Sequence, residues 1–156
     1  MNGAVTVRVQ RGDFDVAAEI SALSRGRADI GAVVTFSGLC RDEAGALSAL
    51  ELEHYPGMAE AEIERICREA VKRFGLQAAV AIHRFGKIMP GENIVLVVTA
   101  SSHRQAAFDG AGFIMDFLKT SAPFWKKEYH ADGSAGGWVS AKDADDTARD
   151  RWSQTN

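Results

Sequence analysis

Strand-like and helix-like hydrophobic patterns alternate along this sequence. Segments with alternating apolar and polar residues or with clustered β-branched residues predict strands at 5–10, 30–40, 50–54, 79–88, 93–100, 124–130 and 138–141. Three other segments repeat apolar residues at helical spacing, namely 14–23, 59–74 and the run that begins at Ser102. The order β-α-β-β-α-β-β-α-β-β mixes antiparallel hairpins with crossover helices, so it predicts an α+β domain rather than a doubly wound one.

Several residues predict where the helices begin and end and how two of the strands are joined. Asp13 is a suitable N-cap for the first helix, and Ser102 with Gln105 three residues later has the spacing of a capping box. Gly75 follows the second helix, where a left-handed residue commonly ends a helix. The turn-forming residues 41–45 predict that the strands on either side of them pair as an antiparallel hairpin.

Chain length and cysteine content are typical of a single-domain protein from a reducing compartment. One hydrophobic core is expected from 156 residues, and we assign it to residues 1–141. Residues 142–156 are charged and lack periodicity, so they are predicted to form a loose C-terminal tail. The two cysteines, Cys40 and Cys67, form neither a disulfide framework nor a C-x-x-C pair. No signal peptide or membrane-spanning run is evident, so the protein is expected to be soluble and cytoplasmic.

The charge balance argues against a nucleic-acid-binding protein. The chain has 18 Lys and Arg residues against 21 Asp and Glu residues, a formal net charge of −3, so no global positive field is available to hold a phosphate backbone. Any anion site must therefore be local. The four histidines show no spacing typical of metal ligands, and the glycine-rich run 133–137 lacks the pattern of a phosphate-binding loop. Neither a metal site nor a cofactor site is predicted.

The start of the third helix is the candidate binding site. His103 and Arg104 lie there, where unpaired backbone N–H groups and the positive end of the helix dipole already favour an anion. An imidazole and a guanidinium at that position predict a phosphate site. The alternative interpretation is an ordinary capping box with two exposed polar side chains.

Two lysines near the end of the third helix are the candidate catalytic residues. Lys119 is at the end of the helix, and Lys126 lies on the following strand, on the same face as Phe124 and Glu128. The two ammonium groups are predicted to meet across the turn, where mutual repulsion and partial burial favour a neutral amine that acts as base or nucleophile. The alternative is that Lys119 complements the helix C-terminus and Lys126 is a solvated strand residue.

Four groups of residues, in consistent order, resemble the large, catalytic subunit of molybdopterin synthase. They are His54-Tyr55-Pro56-Gly57-Met58; His83-Arg84-Phe85-Gly86 with Pro90-Gly91-Glu92; Ser102-His103-Arg104 with Ala107-Phe108; and Leu118-Lys119-Thr120 with Ala122-Pro123-Phe124-Trp125-Lys126-Lys127-Glu128. The resemblance spans residues 5–141 and leaves only the tail outside it.

The resemblance implies an α/β-hammerhead fold with three helices and a sulfurtransferase of molybdenum cofactor biosynthesis. It also implies a homodimer in which each protomer binds a small ubiquitin-like subunit, giving a heterotetramer. The C-terminal Gly-Gly tail of that subunit, activated as a thiocarboxylate, would supply the two sulfur atoms that convert cyclic pyranopterin monophosphate into the dithiolene of molybdopterin. By position, Lys119 and Lys126 match the family's catalytic lysines, and His103, Arg104 and Arg41 match its substrate contacts.

Two other functions compete with this one. A non-catalytic adaptor would bind the ubiquitin-like protein without chemistry, but loss of either lysine would favour that function, and both lysines are present. A nucleic-acid-binding module would use Phe124, Trp125 and Lys126-Lys127 for stacking and phosphate contacts, but the acidic charge balance disfavours it.

Neither cysteine is predicted to carry the transferred sulfur. Cys67 lies on the apolar face of the second helix and is expected to be a small, inert, buried residue. Cys40 precedes Arg41, a cation that would lower the pKa of the thiol, so a persulfide on Cys40 is the alternative to the partner's thiocarboxylate.

Overall fold

Three helices and seven strands form the body of the protein in the computed structural model, which describes residues 3–42, 44–120, 122–139 and 151–153. The strands are β1 (Ala4–Gln10), β2 (Ala32–Leu39), β3 (Leu47–His54), β4 (Ala78–Arg84), β5 (Gly86–Ile88), β6 (Asn93–Ser101) and β7 (Phe124–His130). The helices are α1 (Val16–Ser24), α2 (Met58–Phe74) and α3 (Arg104–Leu118). The predicted α+β class with three helices is confirmed.

A four-stranded sheet in the order β1-β4-β6-β2 separates α1 from the other two helices. Its β1–β4 pair is parallel, and the β4–β6 and β2–β6 pairs are antiparallel. Because side chains alternate along a strand, β4 and β6 contribute apolar residues to both faces. One face packs against α1 through Val80, Ile82, Leu96 and Val98. The other packs against α2 and α3 through Ala79, Ala81, Val95 and Val97.

A second, three-stranded antiparallel sheet has the order β5-β3-β7. The predicted pairing of the strands on either side of residues 41–45 is therefore wrong, because β2 belongs to the first sheet and β3 to the second. After β2, the Cys40 N–H donates to the Glu92 carbonyl at 2.8 Å, so the chain leaves β2 beside the β5–β6 turn rather than folding back on itself. β6 pairs with β2, whereas β3 lies between β5 and β7.

The segment predicted as one strand at 79–88 is two strands in different sheets. β4 ends at Arg84, and β5 begins at Gly86, whose φ of 87° is in the left-handed region that favours glycine. This bend takes the chain directly from the four-stranded sheet to the three-stranded sheet. The two sheets are thus joined next to His83, the residue before the end of β4.

The start of α1 and the end of α2 have residues of the expected types. Asp15, rather than the predicted Asp13, is the N-cap of α1, and its side chain accepts a hydrogen bond from the Ala18 N–H at 3.1 Å. Asp13 instead accepts a hydrogen bond from the Asn93 side chain, at the start of β6. Gly75 ends α2 with a φ of 68°, as predicted.

Helix α3 lies close to the four-stranded sheet along its length. The buried Thr99 hydroxyl on β6 donates to the Ala107 carbonyl of α3 at 2.6 Å. A Cβ atom on Gly110 would lie 2.7 Å from a methyl carbon of Leu76, so this helix position tolerates no side chain without movement of that leucine. These contacts fix α3, whose two ends carry most of the predicted site residues.

The chain after β7 runs back along that strand. Val139 pairs with Lys126 in an isolated antiparallel bridge, within the segment predicted as a strand at 138–141; residues 140 and 141 lie outside the described residues. Of the predicted loose tail, only Arg151–Ser153 is described, and it forms a turn of 3₁₀ helix. No helix in the described ranges is long and apolar enough to cross a membrane.

Candidate functional site

Lys119 is the C-cap of α3, as predicted. Its backbone N–H donates to the Met115 carbonyl at 3.1 Å, which continues the helical hydrogen bonding by one residue. The side chain is exposed. An ammonium group is favourable at this position because the last carbonyl groups of a helix carry partial negative charge.

Lys126 lies on β7, the strand that follows. It is directly opposite Leu52 on β3, and two residues earlier Phe124 is opposite His54. These four residues share one face of the three-stranded sheet, since every second residue points the same way. Leu52 on this face is buried in a core cluster with Cys40 and other apolar residues. Lys126 therefore extends from the inner face of the sheet and is half-buried.

Four rings, those of His83, Phe124, His54 and Phe85, form a histidine–aromatic stack, and Phe124 lies on the same strand as Lys126. The His83 and Phe124 rings are nearly parallel, with centroids 3.9 Å apart. The His54 ring follows at 5.9 Å from Phe124, and the Phe85 ring lies 4.4 Å from His54. These contacts pack the three-stranded sheet against the end of β4.

The charge of Lys119 affects His83 in this stack. Burial lowers the pKa of His83 from 6.5 to about 4, and the positive charges of Lys119 and His54 lower it further, against the opposing effect of a hydrogen bond to the Arg84 carbonyl. In that bond His83 Nδ1 lies 2.8 Å from the carbonyl oxygen, so Nδ1 carries the proton of the neutral ring. At neutral pH, Lys119 thus faces an uncharged imidazole.

His54 is the second buried imidazole of the stack. Its side chain is 6% exposed, and its Nε2 lies 3.9 Å from a carboxylate oxygen of Glu60. Its Nδ1 is buried and has no hydrogen-bond partner among the described residues. The stack thus contains a neutral His83 and a His54 whose Nδ1 has no hydrogen-bond partner among the described residues. Direct contact between the two ammonium groups stays a prediction.

His103 and Arg104 lie at the opposite end of α3. His103 is the N-cap and Arg104 the first helical residue, and both are exposed. The predicted capping box is wrong, because the Gln105 side chain bonds to Asp109 while Ser102 accepts from Gln77. At 1.5 Å per residue, the 15 residues of α3 separate Arg104 from the lysine end by about 22 Å.

Arg41 follows β2 and is exposed. The adjacent Cys40 is buried in the core of the three-stranded sheet and is close enough to Glu128 on β7 to be affected by its charge. Arg41 therefore lies near the strand that carries Lys126. Within one protomer, His103 and Arg104 thus lie at the opposite end of α3 from Lys119, whereas Lys126 lies on the three-stranded sheet and Arg41 follows a residue buried against it.

Both cysteines are buried free thiols. Burial raises the pKa of Cys40, and the negative charges of Glu92, Asp42 and Glu128 raise it further. The expectation of a lowered pKa is therefore wrong, because burial of the thiol, together with the nearby carboxylates, raises it. Burial also raises the pKa of Cys67 to about 12, which agrees with its prediction as a buried apolar residue.

His54 and His83 were not among the predicted site residues. Each lies near the end of its strand, and no local spacing connects them, so their meeting depends on the packing of the two sheets. Within the described ranges, no three His, Cys, Asp or Glu side chains are grouped so as to hold a metal ion.

Known proteins match this chain in sequence. A family model described as MoaE protein matches residues 9–121. A molybdopterin synthase catalytic subunit from Rhizobium meliloti (strain 1021) is 84% identical over 154 residues, which are 99% of this chain and 99% of that protein. One from Pseudomonas aeruginosa is 45% identical over 152 residues, which are 96% of this chain and 100% of that protein.

Solved structures match the fold as well. A MoaE protein from Burkholderia ambifaria MC40-6 has a TM-score of 0.83 at 45% identity, covering 97% of this chain and 99% of that chain. Molybdopterin synthase from Staphylococcus aureus has a TM-score of 0.74 at 26% identity, covering 83% of this chain and 95% of that chain. Since the family model covers most of the chain and the relatives align over nearly all of it, this chain belongs to the MoaE protein family.

Proposed function

We propose that this chain is a molybdopterin synthase catalytic subunit that transfers sulfur to cyclic pyranopterin monophosphate. The observation that carries the proposal is the placement of Lys119 and Lys126 beside the histidine–aromatic stack, in a chain 84% identical to a protein of that name. The sulfur comes from the thiocarboxylated C-terminus of a small ubiquitin-like subunit. Two transfers form the dithiolene of molybdopterin.

The two lysines provide the charge that this chemistry requires. A thiocarboxylate is an anion, so ammonium groups attract it and orient its sulfur toward the pterin side chain. When the thiocarboxylate sulfur attacks a carbon of the pterin side chain, negative charge develops on the oxygen that is displaced, and a nearby ammonium group stabilises that charge or donates a proton. Water then hydrolyses the thioester so formed, which leaves the sulfur on the pterin and releases the small subunit as a carboxylate. The neutral His83 next to Lys119 adds no competing positive charge at neutral pH.

The phosphate of the substrate is assigned to His103, Arg104 and Arg41. An exposed helix start with an imidazole and a guanidinium is suited to bind a phosphate. However, the two ends of α3 are about 22 Å apart, which is longer than one small pterin. We therefore propose a homodimer in which the α3 start of one protomer faces the lysines of the other. Arg41 would contact the substrate from the lysine-bearing protomer.

The proposed assembly is a heterotetramer of two such chains and two small subunits. The relatives are named catalytic subunits, which supports a further subunit in their enzyme. A cytoplasmic location is also proposed, because Cys40 and Cys67 are both free thiols and a reducing compartment keeps them so.

Conversion of the cyclic pterin by purified components tests the proposal. The chain is mixed with thiocarboxylated small subunit and cyclic pyranopterin monophosphate, and molybdopterin is measured by mass spectrometry. Lys119→Ala and Lys126→Ala are expected to lower turnover at least a hundredfold while the fold and the small-subunit complex persist. No product from the unaltered chain, with the small subunit still bound, would indicate an adaptor instead.

Neighbouring lysines provide matched controls. Lys127→Ala removes an adjacent ammonium group on the opposite face of β7, where it lies 5.5 Å from the Tyr129 ring. Lys72→Ala removes an exposed lysine from the last turn of α2, as Lys119→Ala does at the end of α3. Both controls are expected to retain turnover. Near wild-type turnover of a folded Lys119→Ala protein would contradict the catalytic assignment.

A further inference from the structure

Trp152, near the end of the sequence, packs against the helix that carries Lys119. Its indole contacts Phe113 of α3 and Phe74 of α2 edge-on, with ring centroids 5.6 and 5.8 Å away. Its backbone carbonyl accepts a hydrogen bond from the Arg73 guanidinium at 2.9 Å, and that guanidinium also lies 5.8 Å from the indole ring. Trp152 thus joins the main hydrophobic core between α2 and α3.

A hydrogen bond also fixes the orientation of the indole ring. The Trp152 indole Nε1–H donates to Oδ2 of Asp116 at 2.5 Å. Asp116 lies in the last turn of α3, three residues before Lys119, and residues three apart lie on the same side of a helix. The Asp116 backbone carbonyl also accepts a hydrogen bond from the Thr120 hydroxyl at 2.9 Å, directly after the lysine. The indole therefore holds the turn from which the Lys119 side chain extends.

Val139, which also follows β7, is hydrogen-bonded to the second lysine. Val139 and Lys126 exchange two backbone hydrogen bonds, of 2.8 Å from the Val139 N–H and 3.1 Å from the Lys126 N–H. Val139 thus holds the β7 backbone at the position of one lysine, and Trp152 holds the end of α3 at the other. Both attachments come from the part of the chain that follows β7.

We propose that Trp152 is a positioning residue for Lys119, because its indole anchors the last turn of α3 through Asp116 and keeps the lysine ammonium group beside the histidine–aromatic stack. The inference rests on the proposed function, which assigns Lys119 a catalytic role. A packing role alone would need only the aromatic ring, whereas the N–H group directed at a carboxylate fixes the rotation of the helix end. A small displacement of a catalytic group lowers the rate strongly, even when the fold is intact.

Trp152→Phe is the sharpest variant because it keeps an aromatic ring and removes the hydrogen-bond donor. We expect kcat for conversion of the cyclic pterin to fall about tenfold, while KM and the dissociation constant of the small subunit stay unchanged. Asp116→Ala is expected to lower kcat by a similar factor. The double variant is expected to fall no further, because both changes remove the same hydrogen bond.

A stability control separates positioning from a general loss of structure. Leu23→Ala truncates a side chain of α1 on the far face of the four-stranded sheet, so it should lower the melting temperature without lowering kcat. Unchanged kcat in a folded Trp152→Phe protein would overturn the inference, and an inactive Lys119→Ala protein would then leave the proposed function standing. Full activity of Lys119→Ala would overturn both. If Trp152→Phe does not fold, Asp116→Ala makes the same comparison alone.

Discussion

The pH dependence of stability is expected to report the burial of His83. Burial in the histidine–aromatic stack, with the charges of Lys119 and His54, lowers the pKa of His83 from 6.5 to about 4. The unfolded chain binds a proton near pH 6.5 and the folded protein only near pH 4, so between these values the unfolded state holds more protons. The contribution of His83 to the free energy of unfolding is therefore fully present above pH 6.5 and is lost as the pH drops toward 4.

The size of the effect follows from these two pKa values. For one group with a pKa of 6.5 unfolded and about 4 folded, the free energy of unfolding falls by about 2 kcal/mol between about pH 7.5 and about pH 5. The His83→Asn variant removes the titrating ring but keeps a side-chain N–H near the position of Nδ1, where the Arg84 carbonyl accepts a hydrogen bond.

Urea unfolding at the two pH values measures the effect. The wild type is expected to lose about 2 kcal/mol more than His83→Asn over this range. The matched control is His130→Asn, at the end of β7 and outside the stack, which should keep most of the wild-type pH dependence. Equal pH dependence of the wild type and His83→Asn would refute the assignment of a buried, neutral His83.

Three further predictions concern the substrate and the sulfur. Arg104→Ala should raise KM for the cyclic pterin more than it lowers kcat, since a guanidinium pairs with phosphate in the ground state and the transition state alike; an unchanged KM would make Arg41 the phosphate contact. At a substrate concentration far below the raised KM of Arg104→Ala, where that variant alone is nearly inactive, co-expressed Lys119→Ala and Arg104→Ala protomers should recover about a quarter of wild-type turnover, because half of the randomly formed dimers contain one complete site; no recovery would contradict a site shared between protomers. A Cys40→Ser, Cys67→Ser double variant should still form product, and loss of sulfur transfer from a folded variant that binds the small subunit would assign the sulfur to a cysteine.

The local elements of the fold were predictable from the sequence, whereas the pairing of strands was not. The spacing of apolar residues in α2 and the alternation in β7 are local signals, and both elements lie within one residue of their expected bounds. The partner of a strand depends on distant segments. β2 pairs with β6, although a turn-forming sequence connects it to β3.

In the candidate site, too, local placements were predictable and contacts between distant segments were not. Lys119 at a helix end and Lys126 on the next strand were predictable from local patterns, and the structure has them there. The meeting of His54 and His83 was not predictable, since it depends on the packing of two sheets. Trp152 lies among charged residues without periodicity, and a single aromatic residue in such a segment does not indicate where it packs.

The most direct measurement of the central claim is the origin of the sulfur in the product. The small subunit is prepared with a thiocarboxylate that contains heavy sulfur, and the chain and cyclic pyranopterin monophosphate are added in a single-turnover reaction. Mass spectrometry of the pterin should then show two heavy sulfur atoms in each molybdopterin molecule, and none when Lys119→Ala replaces the unaltered chain. Product containing ordinary sulfur, or product formed equally well without this chain, would contradict the account.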